Sequence, residues 1–293
     1  MSGALWIARG GALGDVFVLA PALAALRVAQ PERELAALGR GRALAILRDA
    51  GLLDRIVDFE GRDAWRAFAP GTELPQHLAR ELAGGERLLS FGFGALRAEL
   101  ASAFSRGAVD RAPFPRESGL PVWRYLHAAC ARELGPLPEP PSAPLERLRR
   151  RDGNPRAWIH PGSGARAKNW PLERFLALAR ELEQRGLACS FALGEAEDER
   201  LEAELRAAGV VPQRLELAPL VRELASAALY IGNDSGLMHL SALMGVPTLA
   251  LFQASDERAW EPFGPRVRAL GERGAPATLD DARAALRELL EMR

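Results

Sequence analysis

Among 38 basic residues the chain has a single lysine, Lys168, and in 293 positions it has only two cysteines, Cys130 and Cys189. The cysteines lie far apart and in no Cys-x-x-Cys or Cys/His cluster, which excludes a disulfide framework and a zinc site and fits a reducing compartment. Net charge is also missing: 38 acidic residues balance the 38 basic ones, so no global field draws the chain to nucleic acid. No apolar run is long enough for a membrane span, which takes about 20 residues. Val16 to Leu26 falls short of that, and Met1 to Arg9 lacks the basic start and long apolar run of a signal peptide. Membrane contact is therefore expected to be peripheral, with no transmembrane segment. An Asp-x-Asp pair, which would bridge a metal to a sugar nucleotide, is absent as well. With 48% hydrophobic and 26% charged residues the chain reads as a soluble globular protein, long enough for two domains.

What is present is an alternation of short apolar strands and amphipathic helices, given twice. Ala4 to Ala8 reads as a buried strand, Arg9 to Gly14 as a glycine-rich turn, and Asp15 to about Ala29 as a helix. Strands at Arg55 to Phe59 and Arg87 to Phe91 follow, with helices near Gly41 to Ala50, Gln76 to Leu82, Ala95 to Phe104 and Val122 to Leu134. Five prolines between Pro136 and Pro144 forbid a regular helix interior or central strand. Residues 136–155 are thus expected as a linker between a domain at 1–135 and another at 156–293. The second half begins again with a strand at Ala157 to His160, a turn through Pro171 and a helix at Leu172 to Gln184. Further strands are expected at Cys189 to Leu193 and Arg214 to Leu217, and helices at Glu195 to Ala208, Pro219 to Ala227 and Thr278 to Met292. The last of these helices is left free to pack back on the first domain.

The organising stretch is Tyr230 to Phe252, which reads as strand, polar turn, short apolar helix and second strand. In an open parallel sheet such a turn lies at the carboxyl end of a strand, where ligands bind and where the next helix offers unpaired N–H groups to an anion. Asp234 or Ser235 can cap that helix, Gly236 admits a ligand to the backbone, and His239 projects from the first turn. A capped helix with a packed histidine is the plainer reading of the same residues. Asp15 likewise has two compatible roles, a helix N-cap or a carboxylate presented to a cleft, and Gly11 and Gly14 shape the loop before it. These glycines lack the Gly-x-Gly-x-x-Gly spacing of a dinucleotide site. Gly162 to Lys168 is no P-loop either, because Ala167 precedes the lysine and Asn169 replaces the magnesium-binding hydroxyl. What remains is Ser163 and Gly164 offering a hydroxyl and backbone N–H groups, with one ammonium four residues beyond, a set suited to phosphate.

Three motifs in order resemble glycosyltransferase family 9, the heptosyltransferases of lipopolysaccharide core assembly. They are Gly14-Asp15 with Pro21-Ala-Leu23, His160-Pro-Gly-Ser-Gly with Lys168-Asn-Trp-Pro171, and Gly232-Asn-Asp-Ser-Gly-Leu-Met-His239. The resemblance implies an α/β chain of GT-B type, two Rossmann-like parallel-sheet domains facing across a cleft. It implies an inverting, metal-independent transfer of heptose or a related sugar from an ADP-sugar to a lipid-linked or oligosaccharide acceptor, with no cofactor and no bound metal. Asp15 becomes the general base; Lys168, Ser163 and Gly164 hold the diphosphate; Asp234, Ser235, Gly236 and His239 fix the donor. Asp198 or Glu199, in the acidic turn after a strand, is placed to meet the ribose, although a solvated helix start explains that turn equally well. Arg62, Arg66, Arg97, Arg106 and Arg124 are available to an acidic acceptor. The implied location is the cytoplasm at the inner face of the inner membrane. The first domain reads as trimmed in the connections that would receive an acceptor. A sugar-nucleotide-binding protein without turnover and a nucleotide-sugar epimerase are the competing readings.

Overall fold

A computed structural model describes residues 3–60, 75–92, 98–114, 119–150, 155–194 and 199–291. The chain divides into two compact units, Met1–Pro144 and Leu145–Arg293. The division falls inside the proline-rich segment expected as a linker. Residues beyond it are already fastened to the second unit: Leu145 is fully buried, and Arg149 donates to the carbonyls of Leu224 and Ala227.

The first unit is built on a sheet of five parallel strands, β1 (Ala4–Arg9), β2 (Leu35–Gly39), β3 (Arg55–Asp58), β4 (Gly85–Phe91) and β5 (Ala108–Arg111), in the order β3-β2-β1-β4-β5. β1 lies in the middle and is buried on both faces, which is why Ala-Leu-Trp-Ile-Ala reads as an unbroken apolar run and not as an alternation. Trp6, Leu38, Leu88, Leu78, Leu82 and Phe104 form the core of one face. The helix expected from Asp15 to Ala29 is two helices, α1 (Leu13–Phe17) and α2 (Ala20–Ala29), with Pro21 near the start of the second. Proline has no N–H to continue a ladder, so it is tolerated in a first turn and breaks an interior. The remaining helices are α3 (Gly41–Asp49), α4 (Gln76–Leu82), α5 (Ala98–Ser102) and α6 (Val122–Leu134).

The second unit has six parallel strands, β6 (Ala157–His160), β7 (Cys189–Leu193), β8 (Gln213–Arg214), β9 (Leu229–Asn233), β10 (Thr248–Leu251) and β11 (Val267–Leu270), ordered β11-β10-β9-β6-β7-β8. Counted from its own first strand this is the order 3-2-1-4-5-6 of doubly wound dinucleotide-binding folds. Its helices are α7 (Leu172–Gln184), α8 (Glu199–Ala207), α9 (Leu217–Ala225), α10 (Gly236–Leu243) and α11 (Leu279–Glu291). α7 sets Phe175, Leu178, Ala179 and Leu182 on one stripe toward the sheet. Every residue of α10 from Leu237 to Leu243 is buried, as its lack of a polar face requires. α11 packs on β10 and β11 through Ala282, Ala285, Leu286 and Leu289. Its start is fixed by Thr278, whose hydroxyl accepts from the Asp281 N–H while the Asp281 carboxylate accepts from the Thr278 N–H.

In both sheets the strand order reverses at one point, between β1 and β4 and between β6 and β9. Connections on either side of such a point leave in opposite directions and open a crevice at the carboxyl ends of the strands. The loops that carry the three sequence motifs leave from β1, β6 and β9.

Candidate functional site

In the second unit the loops after β6 and β9 are tied to each other by Asn233, the last residue of β9. This side chain is fully buried: its amide donates to the carbonyls of Pro161 (2.8 Å) and Gly162 (3.3 Å), and its oxygen accepts from the Trp170 N–H (2.8 Å). One residue thus closes both ends of the glycine-rich loop. Trp170 anchors the far end, with its indole N–H on the Ala277 carbonyl and its ring edge-on to Phe175 at 5.2 Å. Gln253, just beyond β10, donates to the carbonyls of Ala167 and Asn169 and holds the loop from a third side. Within the loop the buried Ser163 hydroxyl faces two acceptors at 2.7 Å, the Ala165 carbonyl and the Asn169 amide oxygen, so its one proton serves the loop itself. Gly164 is exposed, and a Cβ there would meet open space.

Lys168 ends a single 3-10 turn, Arg166–Lys168, and its Nζ lies 2.7 Å from Oδ2 of Asp234. The side chain of Asp234 is 6% exposed and that of Lys168 is 35% exposed. The chain's one lysine therefore spans the reversal point, from the β6 loop to the β9 turn, with its carboxylate partner sunk in the protein. Ser235, not Asp234, is the N-cap of α10; its Oγ accepts from the Met238 N–H at 3.4 Å. Gly236 is the first residue of that helix, and His239, buried, sets its ring against Trp260 with centroids 6.3 Å apart.

In the first unit Asp15 is the third residue of α1 and not its cap, which is Ala12. Its Oδ2 accepts from the Ala12 N–H at 2.8 Å, and the Arg9 guanidinium stands beside Oδ1 with Nη2 3.6 Å away. Gly11 has φ of +104°, and a side chain there would also collide with the Asp15 carboxylate. Gly14 is the second residue of α1, and its carbonyl accepts from the Val18 N–H. Arg9 is almost wholly buried; desolvation pushes its guanidinium down to about 10, against the opposing pull of Asp15 and Tyr125, so it stays charged at neutral pH.

Of the residues singled out in the sequence, Lys168 and Asp234 are brought into direct contact, and Ser163, Gly164, Ser235, Gly236 and His239 lie on the two loops and the helix around them. Glu199 opens α8 after β7 and is exposed, while Asp198 lies outside the described residues, as do Arg62, Arg66 and Arg97. Arg106 pairs with Glu86 at 3.1 Å, and Arg124 covers the Trp123 ring. No group of three or more His, Cys, Asp or Glu gathers as a metal site among the described residues. No described helix is long and apolar enough to cross a membrane. Sequence reasoning assigned no role to Asn233, Gln253 or Arg9. Asn233 stood inside a quoted motif, but its three bonds are long-range, and Arg9 was read as part of a turn when it ends the central strand.

Two doubly wound parallel sheets, each with loops leaving at its reversal point, define a doubly wound α/β protein. Comparison with known proteins narrows this. The profile of glycosyltransferase family 9 (heptosyltransferase) matches residues 92–285, and the chain belongs to that family. Over 211 residues it is 36% identical to lipopolysaccharide heptosyltransferase 1 of Pseudomonas aeruginosa, a match that covers 68% of this chain but only 54% of that protein. Among solved structures, a family 9 glycosyltransferase from Veillonella parvula superimposes with a TM-score of 0.76 at 17% identity, covering 100% of this chain and 99% of the other. The E. coli heptosyltransferase WaaC, solved with ADP, gives 0.74 at 17% identity, covering 98% and 99%. The fold is accordingly of GT-B type, with two Rossmann-like parallel-sheet units in one chain.

Proposed function

We propose that the protein is an inverting glycosyltransferase that moves a heptose from ADP-heptose to a lipid-linked acceptor of lipopolysaccharide core assembly. In this reading the second unit holds the donor and the first receives the acceptor. The observation that carries it is the Lys168–Asp234 pair at the reversal point of the second sheet, 2.7 Å long and bordered by the N-terminus of α10. A diphosphate there meets a mobile ammonium, loop N–H groups around Gly164, and a helix end with partial positive charge. Membership of the heptosyltransferase family supports heptose as the sugar, and the ADP in the E. coli relative supports the base. An acid after the second strand reaches the ribose in folds of this order, and Asp198 or Glu199, following β7 along the chain, is the candidate.

The reaction is one displacement. Asp15 takes the proton of the acceptor hydroxyl, and that oxygen forms the new bond to the anomeric carbon. The bond from that carbon to the β-phosphate oxygen breaks, and its electron pair leaves with ADP. Lys168 exchanges Asp234 for the phosphate oxygens as their charge grows, and the α10 N-terminus adds to the stabilisation, so no metal is needed. Asp234, Ser235, Gly236 and His239 then face the donor sugar and its phosphates.

A thermal-shift screen of ADP-, GDP- and UDP-sugars tests the donor, since a ligand that binds only the folded state raises the melting temperature by mass action. The expected result is a shift with ADP-heptose and with ADP alone. No shift with any ADP compound refutes the donor assignment. Transfer to a Kdo–lipid A acceptor, undiminished in the absence of divalent cations, tests the rest. In Asp15→Asn the rate is expected to fall about 10²- to 10⁴-fold, the range typical of a lost general base.

A further inference from the structure

Arg9 has no place in that mechanism, yet among the described residues it is the most deeply buried charged side chain of the first unit, 1% exposed at the carboxyl end of β1. A buried guanidinium is costly unless its donors are met. Here two of its three contacts fall on one residue: Nε donates to the main-chain carbonyl of Asp15, and Nη2 lies 3.6 Å from the Asp15 Oδ1. The third is Nη1 on the carbonyl of Pro113, 2.7 Å away, just past β5. The fork therefore pins the first turn of α1 to the far side of β4, since β1 and β5 flank that strand.

The way the carboxylate is held matters for its chemistry. A bidentate arginine pair would occupy both oxygens and leave little basicity. In this arrangement only Oδ2 is committed to a hydrogen bond, to the Ala12 N–H at 2.8 Å. Oδ1 is near a positive charge but outside bonding distance of it. The guanidinium is too buried for a ligand to touch, whereas the Asp15 side chain is 27% exposed. What the cluster offers to a substrate is one oriented carboxylate oxygen.

We propose that Arg9 is the positioning residue of the transfer reaction: by gripping the Asp15 main chain while standing off its carboxylate, it aims Oδ1 at the acceptor hydroxyl and keeps that oxygen open. This rests on Asp15 acting as the base. Because the guanidinium makes no contact a substrate can share, its loss is expected to fall on kcat and not on KM.

The test uses the full-length protein with ADP-heptose and a Kdo–lipid A acceptor, comparing Arg9→Met, Arg9→Lys and Asp15→Asn. Arg9→Met keeps much of the stem and removes the fork; kcat is expected to fall on the order of a hundredfold, the cost of a reacting group displaced by about 1 Å, with KM for both substrates and ADP affinity held within about threefold. Arg9→Lys, which keeps a charge and one direction of donation, is expected to recover part of the loss. Crystal structures of the variants should show the Asp15 carboxylate swung off the Ala12 N–H. If Arg9→Met retains kcat within about threefold, loses kcat/KM only through a raised KM, or keeps the Asp15–Ala12 contact in place, the positioning role is overturned. Should Arg9→Met fail to fold, Arg9→Lys decides alone, and parental kcat in it overturns the proposal. Asp15→Asn separates the two ideas: if it transfers at the parental rate the base assignment itself is wrong, whereas an inactive Asp15→Asn beside an active Arg9→Met rejects only Arg9.

Discussion

Replacing Lys168 with methionine is the most direct probe of the proposed donor site, where the lysine would exchange Asp234 for a diphosphate. In the free protein its ammonium is paired with Asp234 at 2.7 Å, one group about a third exposed and the other nearly buried. An exposed pair contributes about 0.2–1 kcal/mol, while removing one member of a fully buried pair costs about 3–5 kcal/mol. The half-buried geometry puts the loss of stability in Lys168→Met at about 1–2 kcal/mol, most of it the penalty on an orphaned Asp234. In the proposed mechanism the ammonium trades that carboxylate for phosphate oxygens on binding. A hydrogen bond to a charged group is worth about 1.5–3 kcal/mol, and giving up Asp234 offsets about 1 kcal/mol of that. The net loss of ADP affinity in Lys168→Met is then about 0.5–2 kcal/mol, or roughly 2- to 30-fold in Kd. Lys168→Met/Asp234→Asn removes the stranded carboxylate, which would otherwise repel the diphosphate. It should therefore bind ADP better than Lys168→Met and worse than the parent, and regain part of the lost stability. Calorimetric titration with ADP at two salt concentrations reads both effects. ADP binding by Lys168→Met within twofold of the parent would refute the argument, as would a double variant weaker than Lys168→Met.

Asn233→Ala removes three buried hydrogen bonds and leaves the carbonyls of Pro161 and Gly162 and the N–H of Trp170 in want of partners. A loss of about 2–4 kcal/mol in chemical denaturation is expected, and a loss under about 1 kcal/mol would mean the loop is held by other contacts. Gly164→Ala is expected to leave stability within about 0.5 kcal/mol, since the added methyl meets nothing, but to weaken ADP binding if the diphosphate lies against that backbone. Gly11→Ala, at φ +104° and against Asp15, should destabilise by about 1–3 kcal/mol. Burial pushes the thiols of Cys130 and Cys189 up to about 12 from 9.0. Their folded-state values lie above the unfolded one, so their contribution to stability is complete below about pH 9 and is lost as pH rises toward 12. Cys130, fully buried, should not react with a thiol reagent at pH 8 before the protein unfolds, and its rapid labelling in the folded chain would contradict the burial.

Much of the architecture was legible because buried parallel strands and amphipathic helices leave local marks. α6 and α7 were expected at the bounds they occupy, since apolar residues at helical spacing are bracketed by Pro121 and Gly135 in one case and by Pro171 and Gly186 in the other. β2, β5 and β11 were not read. β2 is Leu-Ala-Ala-Leu-Gly, a composition that favours helix, and only pairing with β1 and β3 makes it a strand. β8 was expected to run to Leu217, but two of its residues pair with β7 and Leu217 opens α9.

The sequence by itself determined the repeated strand–helix alternation and the strands from which the motif loops leave, because each depends on residues close along the chain. Tertiary structure alone decided which groups meet. The approach of Lys168 to Asp234 spans 66 positions, that of Asn233 to Pro161 spans 72, and that of Arg9 to Pro113 spans 104. These contacts follow from strand order, which sets β9 beside β6 and carries β5 to the far side of β4. No local pattern encodes strand order, because it is fixed by how whole elements cover one another's apolar faces.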